Sequence, residues 1–72
     1  MLKLEIGKSY ICQPIGVNHK VVGCIERTYM NTAVIFIEQY DQRDRLAIYD
    51  SKFRLLVKLN EIYAVAESAL VS

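Results

Sequence analysis

The stretch MNTAVIFIEQYDQRD, Met30 to Asp44, decides how this chain reads. Its centre, Thr32 to Tyr40, is rich in β-branched and aromatic residues and too short for a typical helix, so it is expected to be a strand. Successive side chains of a strand point to opposite faces. Ala33, Ile35 and Ile37 therefore share one face, and Val34 and Phe36 share the other. A half-buried strand needs only one apolar face, so a strand with two implies that something covers the second. The expected inward set is Ala33, Ile35 and Ile37, because Gln39 continues that side out of the core. Val34 and Phe36 then point outward, with Glu38 and Tyr40 extending their row. The opposite register is the alternative, and it too leaves one large apolar pair over.

Working outward, Asn31 suits the positive φ of a tight hairpin. Before it, Lys20 to Thr28 alternates Val21, Gly23 and Ile25 against Val22, Cys24 and Glu26, and reads as a second strand. Gly23 in its middle predicts a bulge or bend, as at a barrel corner. Lys8 to Gln13 reads as a first strand, and the PIGVNHK segment, Pro14 to Lys20, as a turn or wide loop. After the central strand, Asp41 with Asp44 three residues on resembles a helix N-cap followed by an N3 acid. A short helix over Gln42–Tyr49 and a strand over Arg45–Tyr49 fit that segment equally well. Phe53 to Leu59 reads as a fourth strand with Leu55, Val57 and Leu59 on one face. In the tail, Ile62, Val65, Ala66, Ala69 and Leu70 recur at helical spacing, whereas Ile62 to Val65 also reads as a short strand.

Seventy-two residues imply one domain, 1–72, and 53% hydrophobic with 24% charged residues fits a folded globule. A chain this small buries only about 60–65% of its unfolded surface. A metal, a disulfide or self-association often makes up the deficit. Two cysteines, Cys12 and Cys24, and one histidine, His19, cannot assemble a closed zinc site, and no cofactor motif is present. The N-terminus lacks the pattern of a signal peptide, and no apolar run approaches a membrane span. The cysteines therefore read as reduced thiols of a cytoplasmic protein. Nine Lys and Arg balance eight Asp and Glu, with the signs interleaved. This is not the basic footprint of a strong nucleic-acid binder.

Two segments, VVGCIERTYMNTAVIFIEQYD (Val21–Asp41) and FRLLVKLNEIYAV (Phe53–Val65), together resemble small SH3-like barrels. In particular they resemble the uncharacterised SH3-like proteins of Bacillus-type bacteria, a domain-of-unknown-function family. The resemblance spans Lys8 to Val65 and rests on one Gly, one Asn and apolar alternation, a pattern that Sm-like, KOW-like and Tudor-like barrels share. It implies an all-β fold, a five-stranded bent antiparallel barrel, with Ile62–Val65 as its last strand. A short helical segment would follow strand three or sit at the C-terminus. It implies no activity. The chain has no Trp and no ALYDY-like start, so binding of proline-rich PxxP peptides is not expected.

The chemistry-bearing residues have plainer readings. Glu38, Asp41, Asp44 and Asp50 could form a cation or acid–base site. The plainer reading is a solvated, capped loop whose acids pair with Arg43 and Arg45. His19 lies in a polar turn and the cysteines in strands, which disfavours a nucleophile–base pair. The expectation is therefore a non-enzymatic module that binds a protein partner, or itself as a homodimer, through Val34, Phe36 and Tyr40. The alternative is a nucleic-acid-binding barrel using Tyr29 with Lys20, Arg27 and Arg54.

Overall fold

The computed structural model describes residues 3–66. Five strands form one antiparallel sheet in the order β4-β3-β2-β1-β5. They are β1 (Ser9–Cys12), β2 (Val21–Thr28), β3 (Thr32–Gln39), β4 (Arg54–Lys58) and β5 (Ile62–Val65). A 3-10 turn (Gln42–Asp44) and a short helix, α1 (Arg45–Asp50), lie between β3 and β4, and a second 3-10 turn (Leu59–Glu61) precedes β5. The sheet bends back on itself. The loop after β1 reaches β4 and the second 3-10 turn, where Ile15 N–H donates to the Leu56 carbonyl (2.9 Å) and Gln13 N–H to that of Glu61 (3.0 Å). The result is the small, all-β, barrel-like fold expected, with its helical segment after strand three. A helical segment at the C-terminus, where Ala69 and Leu70 continue the helical spacing, lies outside the described residues.

The central strand takes the expected register. Ala33, Ile35 and Ile37 are buried, while Val34 is half-buried and Phe36 exposed. Around them the core gathers Tyr10, Cys12, Val21, Ile25, Ile48, Val57 and Ile62. Gly23 faces this core and lies at a register shift, since the β2–β3 pairing slips between Val22 and Gly23. A Cβ at Gly23 would stand 2.7 Å from Ile35 Cδ1 and 3.1 Å from its Cβ. The missing side chain is therefore what lets β2 carry Ile35 against its backbone while the sheet curves.

One local expectation is corrected and two open alternatives are resolved. Asn31 does not take a positive φ, since among the described non-glycine residues only Lys52 (φ 58) and Phe53 (φ 68) do. The hairpin instead closes through Tyr29 N–H to the Thr32 carbonyl (2.7 Å), and a second slip between Ile25 and Arg27 supplies the added twist. Arg45–Tyr49 is helical, not extended. Its end is a Schellman closure, with Phe53 N–H donating to Ile48 O (3.0 Å) and Lys52 N–H to Tyr49 O (3.1 Å). The left-handed residue of that motif is usually Gly, and Lys52 takes the place here, so the usual signal is absent from the sequence. Ile62–Val65 is a strand despite its helical spacing, because pairing with β1 overrides a local pattern.

Gly23→Ala is expected to destabilise the fold by about 1–3 kcal/mol through overpacking. Ile35→Val removes the crowding Cδ1, so it should cost less in the Gly23→Ala background than the roughly 0.5–1.5 kcal/mol expected alone. A double-mutant cycle by chemical denaturation measures this. Lys52→Gly relieves the left-handed cost and should gain about 0.5–1 kcal/mol in the same assay.

Candidate functional site

The outward face of the sheet is built by strand alternation. Val34 pairs with Leu56, Phe36 with Arg54 on one side and Cys24 on the other, and Cys24 with Ser9. Phe36 is 39% exposed and Leu56 45%, with half-buried Val34 beside them. The Phe36 ring is held from two sides. The Arg54 guanidinium lies over it, 5.6 Å from its centroid, and Phe53 stacks on it at 6.2 Å. Phe53 also meets Tyr40 edge-on at 6.0 Å and Tyr49 at 5.2 Å. Phe53 thus links Phe36 to Tyr40, and its positive φ is held by packing against three rings. Arg54 is oriented in turn by Glu26, with Nε donating to Oε1 at 2.9 Å. Ser9 Oγ donates to Glu38 on the same face.

Of the three residues expected to bind a partner, Val34 and Phe36 therefore share the outward face, and Tyr40 joins through Phe53. Sequence reading missed Phe53, Tyr49 and Leu56 as members of the patch. Tyr49 lies within the helical insert and Phe53 just past its end, which carries no glycine to announce it. Leu56 could have been found, as the outward apolar residue of a strand paired to β3. Of the nucleic-acid alternative, Arg27, paired with Val34, shares the outward face with Arg54, but Lys20 and Tyr29 do not converge. Lys20 lies over the Tyr63 ring (4.8 Å) at one end of β2, and Tyr29 follows its other end. The intervening strand is eight residues long. At about 3.3 Å per residue it separates them by roughly 25 Å. Arg54 is engaged with Glu26 and Phe36.

The polar residues settle into structural roles. Asp41 caps the first 3-10 turn, accepting from Arg43 N–H (2.9 Å), and also takes the Arg43 guanidinium through both carboxylate oxygens (2.9 and 2.8 Å). Those bonds hold its carboxyl well below the usual range. Asp44 pairs with neither neighbouring arginine. It is buried and turns to the β1–β2 loop, where its Oδ2 accepts from the backbone N–H groups of Asn18 (3.2 Å) and His19 (3.0 Å) and bonds His19 Nδ1 (3.0 Å). Burial alone would push this carboxyl up. The His19 hydrogen bond and the two N–H donors outweigh it and leave the pKa below its ordinary value. Sequence proximity suggested Arg43 and Arg45, whereas the fold brings in a residue 25 positions away.

Cys12 lies in the core and Cys24 on the outward face, so the thiols sit on opposite sides of the sheet. Burial pushes Cys12 up to about 12, away from thiolate chemistry. Cys24 is also raised, first by burial and then by Glu38 and Glu26. Among the described residues no group of three or more His, Cys, Asp or Glu gathers to hold a metal ion. No helix among them is long and apolar enough to cross a membrane.

Asp44→Ala strands two backbone donors and is expected to lower the melting temperature by at least roughly 4–8 °C. Because its folded pKa is depressed, Asp44 stabilises the fold fully above about pH 4, and that contribution fades as pH falls through the lower folded value. Asp44→Asn should therefore flatten the acid limb of the stability–pH curve, measured by thermal melts between about pH 2 and pH 6.

Comparison with protein-family models, with curated proteins and with solved structures finds no match, so the reading of this face rests on its own residues.

Proposed function

We propose that this chain is a small non-catalytic interaction module that binds a protein partner, or a second copy of itself, through the outward face centred on Phe36. The observation that carries the reading is the Phe36 ring, exposed beside Leu56 and held between Phe53 and the Arg54 guanidinium. Aromatic and arginine side chains dominate binding energy at interfaces. A ring already held in place loses little conformational freedom on docking. Glu26, Glu38 and Arg54 supply a polar border around the apolar centre, the anatomy of a protein-binding patch. A dimer through this face would also bury apolar surface that a chain of this size needs.

The non-catalytic part of the reading is supported by the engaged state of the reactive groups: Cys12 in the core, and His19 Nδ1 and Asp44 joined in a loop contact. A cytoplasmic setting accords with the two free thiols. The resemblance to bacterial SH3-like barrels accords with an interaction role without specifying a partner. A nucleic-acid role draws less support, because its aromatic and cationic residues are spread along β2 and β4.

Phe36→Asp tests the proposal. Size-exclusion chromatography with light scattering on both proteins, with circular dichroism to confirm folding, is expected to show a dimer that the substitution splits, or a monomer whose captured partners the substitution releases. A folded Phe36→Asp protein with the same oligomeric state and the same partners would overturn the reading.

A further inference from the structure

The far end of the barrel holds a second surface that shares no residue with the Phe36 patch. An open groove of about 1040 Å³ runs between the β2–β3 hairpin and the 3-10 turn before β5. Leu4, Leu59 and Ile62 line it, and the hairpin tip adds Tyr29, 54% exposed, and Met30, 90% exposed. Its two walls are tied together, because Leu59 N–H donates to the Asn31 carbonyl (3.0 Å). The groove is therefore preformed.

Its polar groups carry the argument further. Asn31, Asn60 and Lys58, each with a polar side chain, are among the residues that line the groove. Among the described residues none of these groups has a side-chain hydrogen-bond partner. Nor does Lys58 form an ion pair among them. An apolar pocket with a few unengaged polar groups is the usual composition of a binding site. Side-chain amides both donate and accept, which matches the backbone of an extended peptide. Among the described residues Lys58 is the one charged residue of the lining, and no carboxylate of theirs accompanies it.

We propose that this groove binds an extended segment of a partner protein that carries a carboxylate beside aliphatic side chains. The carboxylate meets Lys58, the aliphatic groups lie on Leu4, Leu59 and Met30, and Asn31 and Asn60 hydrogen-bond the segment's backbone. A nucleic-acid strand is the less suitable occupant. Its affinity comes from neutralising several phosphates, and the described residues of the groove offer one cation. The proposal is independent of the outward-face reading.

The test is a selection of random displayed heptapeptides on the immobilised full chain, followed by fluorescence-polarisation titration of the enriched sequences and of a fluorescent oligothymidine. The expected outcome is enrichment of peptides with an acidic residue next to Leu, Ile, Val or Met. Replacing that acid by its amide should weaken binding at least tenfold on the wild type and less than twofold on Lys58→Gln. Phe36→Asp should bind these peptides unchanged. No enrichment, enrichment without an acidic residue, an acid preference that survives Lys58→Gln, loss of binding in Phe36→Asp, or a groove that takes the oligothymidine more tightly than any peptide would each overturn the proposal. Lys58 is exposed, and its variant is checked for folding by circular dichroism.

Discussion

The packing of Ile35 against the backbone of Gly23 is the constraint on which this barrel depends. In a chain this short every inward position of the central strands must fill the core without forcing the strands apart. Ile35 is fully buried and occupies the space where a side chain at position 23 would stand. The sheet slips register at that glycine, and slips again near the β2–β3 hairpin. Such slips bend the strand and increase its twist. With that curvature the segment after β1 reaches β4 and the turn before β5, and five strands enclose one core.

The barrel ends are finished by different means. At one end α1 inserts Ile48 into the core, and Asp44, just before the helix, draws in the β1–β2 loop. A buried carboxylate is costly unless it is bonded, and the loop answers with two backbone donors and an imidazole. At the other end the hairpin and the second 3-10 turn share one backbone bond and leave a groove between them. The outward sheet face follows from the same geometry. β4 is displaced from β3 by the helical insert, yet returns to pair with it, which sets Leu56 beside Val34 and brings Phe53 against Phe36.

Much of the fold was legible because strand alternation is a property of the backbone. Any half-buried strand must sort its side chains by parity, so Ala33, Ile35 and Ile37 share a face by order alone, and Gln39 at the end of that row marked it as the expected inward one. The helix after β3 was legible only as one of two equal alternatives, because Lys52 holds the left-handed position that glycine usually marks. The last strand was obscured because Ile62, Val65 and Ala66 suit a helix face locally, and only the pairing with β1 decides against it. The candidate site was half visible. Val34 and Phe36 came from parity, whereas Phe53 and Tyr49 depend on how a six-residue helix turns the chain.

By itself the sequence determined which residues alternate and where the chain must bend. Those properties belong to single segments and their immediate neighbours. The tertiary structure decided which surfaces meet: Asp44 with His19 rather than with its adjacent arginines, Phe53 among three rings, Lys58 beside a groove. Such pairings depend on burial and on distances between segments far apart in the chain. The free energy of a buried polar or aromatic contact is set by everything that surrounds it, and a single stretch of sequence does not contain those surroundings.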